Sequence, residues 1–267
     1  MDVVFHAAAL SSPWGAPAVF RAVNVEATSR LVSAARAGGF DAFVFISTPS
    51  IYAEARDRLC LTEDSRVAAR LANAYVRTKY AAERLVLAAA APGFAAMALR
   101  PRALVGPDDR VLLPRLIRVA RSGRFPLFRQ GRALIELTDV RDAAFAAIAA
   151  DRARGSTGGQ AFNVSGGAPA SVAATLGEVF GALGLKVRLV PLPYILAAGA
   201  CRVTEAISAA MPGRPEPPAT LYSLTSLAFS QTFDLTRARQ ALSWAPRFTP
   251  GQAIARTAAA WRDHAPV

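Results

Sequence analysis

The sequence contains little cysteine. Its two cysteines, Cys60 and Cys201, lie far apart, without the spacing of a zinc motif or of a disulfide framework. This excludes the disulfide-rich secreted class, and we predict no metal site. Free cysteines fit a reducing compartment, so we expect a cytoplasmic protein.

Long apolar runs are also missing. The most apolar segment, residues 189–211, is interrupted by Pro191, Pro193, Arg202 and Glu205. It is therefore no uninterrupted membrane-spanning run. We interpret it as an amphipathic helix that either covers a substrate pocket or touches a membrane, so that membrane contact is at most peripheral.

Lysine is scarce as well, since 29 of the 31 basic residues are Arg and only Lys79 and Lys186 are Lys. The arginines are spread along the whole chain and form no basic run, so the net charge of +12 reflects composition and not a nucleic-acid-binding surface. We therefore expect no nucleic-acid partner.

No glycine-rich phosphate-binding turn follows the first strand. Such a turn lets the backbone reach a diphosphate at a helix N-terminus. Here the chain begins Met-Asp-Val-Val-Phe-His-Ala-Ala-Ala, which is typical of the middle of a nucleotide-binding domain.

Strands and helices alternate along the chain. This pattern predicts an α/β fold with a doubly wound parallel sheet. We place strands at 2–8, 43–47, 95–100, 161–164 and 186–190, and helices at 24–38, 72–91, 110–122, 139–152, 171–183, 235–242 and the tail to Trp261. Residues 1–167 then form a partial nucleotide-binding domain, and residues 168–267 form mainly a small substrate lobe.

A tyrosine and a lysine lie four residues apart in the predicted helix 72–91. At that spacing Tyr75 and Lys79 share one helix face, so the ammonium should favour ionisation of the phenol. A tyrosine tuned in this way can act as acid or base on an alcohol or carbonyl. Ser47 and Thr48 follow a buried strand, at the end of the sheet where open α/β folds bind ligands.

Several short segments occur in an order that is typical of one family. They are His6-Ala-Ala8, Asn24-Val-Glu-Ala-Thr28, Ser47-Thr-Pro-Ser-Ile-Tyr52, Tyr75 with Lys79, Leu99-Arg-Pro-Arg-Ala-Leu-Val-Gly-Pro107, Thr138-Asp-Val-Arg-Asp142 and Ser230-Gln-Thr-Phe-Asp-Leu-Thr-Arg-Ala-Arg239. In these segments the chain resembles the extended short-chain dehydrogenase/reductases of the NAD-dependent epimerase/dehydratase superfamily. It is most similar to their 3β-hydroxysteroid dehydrogenase-like branch.

The resemblance implies a Rossmann-like fold and hydride transfer between NAD or NADP and a secondary alcohol or ketone. Tyr75 would be the acid/base, Lys79 would hold the nicotinamide ribose, and Thr48 would orient the substrate oxygen. The residues implied to lie along the cofactor are His6, Ala7, Ala8, Asn24, Ser47, Tyr75, Lys79 and Pro101. Within this set His6 is expected to contribute backbone, and Asn24 is either a helix cap or a cofactor neighbour.

One departure from the family pattern is large. The first strands and the glycine-rich loop, on the order of 60 residues at about 30 per βα unit, have no counterpart. The chain as written is thus expected to bind NAD(P) poorly and to leave the strand 2–8 as an open sheet edge. Either the true start lies upstream of Met1 or the chain is a remnant, and the retained Thr48, Tyr75 and Lys79 favour the first.

The substrate and the activity remain open at this point. The apolar segment 192–201 favours a steroid-like or long-chain 3-hydroxy/3-oxo substrate. The alternatives are a nucleotide-sugar epimerase or dehydratase, which Arg115, Arg118, Arg129 and Arg132 would suit, and a non-catalytic interaction protein on the same fold. Family members often dimerise through the helices equivalent to 24–38 and 72–91, so a homodimer is an expectation that rests on the resemblance alone.

Overall fold

The computed structural model describes residues 2–264. The strands are β1 (Val3–His6), β2 (Ala42–Ile46), β3 (Arg58–Leu61), β4 (Ala95–Pro101), β5 (Leu104–Val105), β6 (Arg124–Phe128), β7 (Leu134–Ile135), β8 (Thr138–Asp139), β9 (Ala161–Val164), β10 (Ala170–Ser171), β11 (Arg188–Leu192) and β12 (Gln231–Phe233). The helices are α1 (Pro17–Arg21), α2 (Ala27–Ala37), α3 (Ala74–Ala88), α4 (Leu113–Ala120), α5 (Val140–Arg152), α6 (Arg154–Thr157), α7 (Val172–Ala182), α8 (Tyr194–Ala210), α9 (Leu221–Ala228), α10 (Thr236–Leu242) and α11 (Pro250–His264).

A parallel sheet of four strands in the order β1-β2-β4-β9 forms the centre of the molecule. The register pairs His6 with Phe45, Ile46 with Leu99, and Pro101 with Val164. The carboxyl ends of all four strands therefore meet at one edge of the sheet.

Helices cover both faces of this sheet. Alternate residues of a strand point to opposite faces, so Phe43 and Phe45 pack toward α2 and α3, while Val44 packs toward α5. The inner strands β2 and β4 are apolar almost throughout because both of their faces are buried. This confirms the predicted α/β fold with a parallel Rossmann-like sheet.

A second apolar core belongs to the smaller lobe. Residues of α4, α7 and α11 pack around the parallel pair β6 and β11, with Phe125 against Phe180 at 5.5 Å between ring centroids. Helices α8 and α9 pack on each other beside this core, around Cys201 and Leu224. Residues of the segment 105–137 and residues after 172 both contribute to this core.

Some expected boundaries were wrong. The strand expected at 2–8 is shorter, Val3–His6, but it lies at the sheet edge as expected, where Phe5 is 46% exposed. Strands β3, β6 and β12 and helix α9 were missed, and the strand expected at 186–190 lies at Arg188–Leu192. The short strands sit in polar or proline-containing segments, which carry little periodic signal.

Asn24 does not cap a helix. A π-helical turn, Ala22–Glu26, joins α1 and α2 into one helix that begins at Pro17, so Asn24 lies inside it. Pro17 occupies the first helical position, where proline favours the start of a helix. In this π-helical segment the Asn24 amide faces the backbone of Leu10.

Candidate active site

The candidate site lies at the carboxyl edge of the central sheet. Ala7 and Ala8 follow β1, Ser47 and Thr48 follow β2, and Arg102 follows β4. The parallel register brings these three chain segments side by side. This is the edge at which open α/β sheets bind ligands.

Tyr75 lies in the first turn of α3, directly over this edge. The helix begins here because the Asn73 side chain accepts a hydrogen bond from the Val76 N–H at 2.9 Å. The hydroxyls of Thr48 and Ser11 are within hydrogen-bonding reach of the half-buried phenol. The structure therefore brings together the predicted pair Tyr75 and Thr48.

Thr48 is held by the turn that follows it. Its Oγ1 accepts a hydrogen bond from the Ser50 N–H at 3.2 Å and donates one to the Ser50 hydroxyl at 3.0 Å. Ser50 in turn shares a hydrogen bond of 2.7 Å with the hydroxyl of Tyr222 on α9. Ser50 and Tyr222 were not predicted, and Tyr222 comes from a region far along the chain.

The expected lowering of the Tyr75 pKa is not what this structure shows. Burial raises the pKa of Tyr75, the nearby Tyr222 raises it further, and hydrogen bonds with Thr48 and Ser11 only partly oppose this. The Lys79 ammonium, which we expected to lower the pKa of Tyr75, is directed toward the Ile46 carbonyl oxygen. Tyr75 is thus a protonated phenol, ready to donate its proton to a carbonyl oxygen.

Lys79 is buried beneath the site, with 2% of its surface exposed. Its Nζ donates a hydrogen bond to the Ile46 carbonyl oxygen at 2.5 Å and lies 3.9 Å from the centroid of the Phe45 ring. Burial lowers the pKa of Lys79 to about 7, although the Glu83 carboxylate raises it in part. Lys79 therefore fixes the end of β2, two residues before Thr48.

This burial predicts a pH dependence of stability. The pKa of Lys79 falls from 10.5 to about 7 on folding, so between these pH values the unfolded chain binds more protons. The stability of the wild type should rise with pH there. Relative to Lys79→Met, the wild type should gain about 1 kcal/mol of unfolding free energy per pH unit, measured by urea unfolding.

The control for this experiment is Lys186→Met, at the exposed lysine. If the difference in unfolding free energy between wild type and Lys79→Met stays constant between pH 7 and pH 10.5, Lys79 keeps its ordinary pKa in the fold.

Ser47 points into a buried ionic network instead of the site. Its hydroxyl donates to Glu83 Oε2 at 2.6 Å. The guanidinium of Arg100 donates to both oxygens of the same carboxylate, at 2.6 and 2.9 Å, and also to the Tyr52 hydroxyl. Glu83 was missed, although its spacing of four after Lys79 on α3 places it on the same helix face.

His6 and Asn24 have structural contacts on the other side of the site. The His6 Nε2 shares a 2.8 Å hydrogen bond with the Thr28 hydroxyl, and burial, followed by the Lys79 charge, lowers the pKa of His6. The Asn24 side chain accepts from the Leu10 N–H at 2.8 Å and donates to the Leu10 carbonyl oxygen at 3.2 Å. Asn24 thereby holds the loop after β1, and with it Ser11, next to Tyr75.

Ala7 and Ala8 are exposed where the chain leaves β1, and Pro101 is buried at the end of β4. Small exposed side chains leave the backbone there open to a flat ligand. The structure thus places Ala7, Ala8, Tyr75 and Pro101 around one sheet edge, whereas the side chains of Ser47 and Lys79 are directed away from it. The roles of the predicted cofactor neighbours stay predictions.

Comparison with known proteins identifies relatives of this chain. A ketoreductase of Stigmatella aurantiaca, named for 4-hydroxy-2-methyl-3-oxo-4-farnesyl-3,4-dihydroquinoline-1-oxide, is 32% identical over 95% of this chain and 75% of its own length. A 3beta-hydroxysteroid-dehydrogenase/decarboxylase of Arabidopsis thaliana is 27% identical over 96% of this chain and 48% of its own length.

The solved structures show the same fold. A UDP-glucuronic acid 4-epimerase of Bacillus cereus in complex with NAD superposes with a TM-score of 0.74 at 19% identity, over 98% of this chain and 75% of the epimerase. The family model described as "NAD dependent epimerase/dehydratase family" matches residues 1–165. The resemblance found in the sequence is confirmed, and the chain belongs to the NAD-dependent epimerase/dehydratase family.

Proposed function

We propose that this oxidoreductase interconverts a secondary alcohol and a ketone on an apolar 3-hydroxy or 3-oxo substrate, steroid-like or long-chain. The observation that carries the proposal is the Tyr75 phenol, which lies with the Thr48 hydroxyl at the carboxyl edge of the sheet. A phenol and a second hydroxyl can share one substrate oxygen, so one group orients that oxygen while the other moves its proton.

In the reducing direction the Thr48 hydroxyl hydrogen-bonds the substrate carbonyl oxygen, and Tyr75 gives it a proton. The raised pKa of Tyr75 suits the donor role, because the phenol is fully protonated at neutral pH. In the oxidising direction the Tyr75 phenol must first lose its proton, and the phenolate oxygen then takes the proton of the alcohol. Lys79 lies one helical turn away, and through its bond to the Ile46 carbonyl oxygen it holds the end of β2, and with it Thr48, beside Tyr75.

The residues around the site fit the nicotinamide end of NAD or NADP. Ala7 and Ala8 offer an exposed backbone with small side chains, and Pro101 closes the neighbouring strand end. We propose that these residues hold the nicotinamide riboside beside Tyr75, while the buried Lys79 fixes the end of β2 beneath it. The chemistry that the bound nicotinamide supplies is the acceptance or donation of a hydride.

An apolar substrate is supported by the smaller lobe. Helix α8 leaves Ile195 81% and Leu196 67% exposed, although both are large hydrophobic residues. Such a face suits a cover over an apolar ligand or a peripheral contact with lipid. None of the helices in residues 2–264 is both long and apolar enough to cross a membrane. The ketone and farnesyl group in the name of the Stigmatella relative agree with this choice.

The proposal is tested by NAD(P)⁺-dependent oxidation of a substrate panel. The panel contains 3-hydroxy compounds of increasing chain length, a 3β-hydroxysteroid, and UDP-glucuronic acid. We expect turnover to rise with apolar size. Turnover of UDP-glucuronic acid alone would favour the nucleotide-sugar alternative. Because the chain is expected to bind NAD(P) poorly, the cofactor is used at a saturating concentration, and no turnover of any compound would then favour the non-catalytic alternative.

We also propose a homodimer through the α1–α2 helix. Val19, Val23 and Leu31 of that helix are each 41–52% exposed and recur at near-helical spacing, which makes one apolar stripe. Light scattering should give a dimer mass for the wild type, and a monomer mass for wild type at micromolar concentration would contradict this.

A further inference from the structure

Helix α8 turns an apolar side toward solvent. Leu196, Val203 and Ile207 follow one another at intervals of seven and four residues, so they share one side of the helix, and they are 67%, 60% and 55% exposed. Ile195 beside them is exposed as well. The other exposed residues that the structure describes in α8 are alanines and Arg202. A helix on a protein surface normally carries polar residues on its solvent side, so this side needs a cover.

The opposite side of α8 is already packed against the protein. Ala198 and Cys201 are buried in one cluster with Leu224 of α9 and Phe128 of β6. A ligand held inside the protein would meet this inner side of the helix. The exposed side points away from the body of the lobe, so its cover has to come from outside the fold.

The charged residues in and around α8 are mostly basic. The segment 186–214 has four exposed basic residues, Lys186, Arg188, Arg202 and Arg214. None of these four forms an ion pair with any residue in 2–264. The acidic residue of the segment is Glu205, and its Oε1 accepts a hydrogen bond from the Leu221 N–H at 2.8 Å at the start of α9. The segment thus carries a positive charge that its own carboxylate does not balance.

An apolar face with unpaired cations beside it matches an anionic lipid surface. Aliphatic side chains can enter the acyl boundary, while a long arginine side chain reaches back to the headgroup phosphates. Arg202 follows Ile195 by seven residues, so both lie on the same side of the helix. A second copy of the chain matches this face less well, because α8 against α8 would bring the like charges of two copies together.

We propose that α8 docks the protein on an anionic membrane. The lipid-docking face consists of Ile195, Leu196, Val203 and Ile207, with Arg202 on the lipid phosphates. The helix lies in the plane of the membrane, because its inner side stays packed on α9. This inference goes beyond the proposed function, and its test requires no turnover.

One short loop connects the end of α8 with the candidate active site. The Trp14 indole N–H donates a hydrogen bond to the Arg214 carbonyl oxygen at 3.0 Å, shortly after α8 ends. Ser11, three residues before Trp14, is within hydrogen-bonding reach of Tyr75. Docking through α8 would therefore bring the membrane surface to within one loop of Tyr75.

The test is co-sedimentation of the full chain with vesicles, either of phosphatidylcholine alone or of equal parts of phosphatidylcholine and phosphatidylglycerol. We expect wild type to bind the mixed vesicles. The double variant Leu196→Ser/Val203→Ser should lower the partition coefficient by about 100-fold, because burying each large aliphatic side chain contributes about 10-fold or more. The matched control is Ile148→Ser, at an exposed isoleucine of α5, which should bind as wild type does.

The charge is tested separately. Arg202→Gln should bind the mixed vesicles about 5-fold more weakly, since one cation near an anionic surface contributes about that factor. It also keeps the proposal testable if the double variant does not fold. Wild type that binds both kinds of vesicle equally well, or an Arg202→Gln variant that binds the mixed vesicles as tightly as wild type does, would contradict the anionic assignment.

Three further results would overturn the proposal. The first is wild type that binds neither kind of vesicle. The second is a double variant that binds as tightly as wild type, which would trace binding to the net charge of +12 alone. The third is a wild-type dimer that the double substitution dissociates in light scattering, which would show that a second copy covers α8.

Discussion

Replacing Tyr75 by Phe is expected to lower kcat by about 100- to 10,000-fold, the range that a positioned acid/base contributes. The phenol oxygen is the group that moves the proton, and Phe keeps the ring that packs in the first turn of α3. The fold should therefore survive, and the effect should appear in kcat. Steady-state oxidation of the best 3-hydroxy substrate, followed by reduced cofactor, measures it.

The matched control is Tyr80→Phe, which removes a hydroxyl from the same helix outside the site. It should turn over at nearly the wild-type rate. Full activity of Tyr75→Phe would show that Tyr75 is not the acid/base. It would favour the alternative that the chain is a non-catalytic protein.

Replacing Glu83 by Gln is expected to lower the free energy of unfolding by about 3 to 5 kcal/mol, because it leaves the Arg100 guanidinium charged and buried. Both side chains are almost completely buried, at 1% and 7% exposure, and three hydrogen bonds converge on the carboxylate. Chemical unfolding in urea measures the change.

The comparison variant is Glu26→Gln, which breaks the exposed pair with Arg21 and should cost less than about 1 kcal/mol. A loss of similar size for both variants would mean that the Glu83 network adds no stability beyond that of a surface ion pair. A double substitution of Glu83 and Arg100 by Gln and Met should recover part of the loss, because no charge then stays buried.

The parts of the site that the sequence predicted are local. The helix with Tyr75 and Lys79 was expected at 72–91 and is found at Ala74–Ala88, and Thr48 lies where the strand ends. Helical spacing and a proline after an apolar run determine such features within a few residues. The parallel sheet followed from alternating strands and helices in the same way.

The parts of the site that the sequence did not predict depend on contacts between residues far apart in the chain. Ser50 and Tyr222 are 172 residues apart in sequence, and no local pattern connects them. Asn24 was expected to be either a helix cap, because asparagine favours caps, or a cofactor neighbour, but the helix begins earlier and the Asn24 amide binds the loop at Leu10. The same limit applies to Lys79, since its bond to the Ile46 carbonyl depends on how α3 lies on β2.

The measurement that tests the account most directly follows the hydrogen at the reacting carbon. A 3-hydroxy substrate carrying deuterium on its carbinol carbon is incubated with enzyme and NAD⁺ or NADP⁺, and the reduced cofactor is analysed by mass spectrometry. We predict one deuterium in the reduced cofactor for each ketone formed, with transfer in Tyr75→Phe slowed by about 100- to 10,000-fold. Ketone without deuterated cofactor, or no ketone with wild-type enzyme on any 3-hydroxy substrate, would contradict hydride transfer at this site.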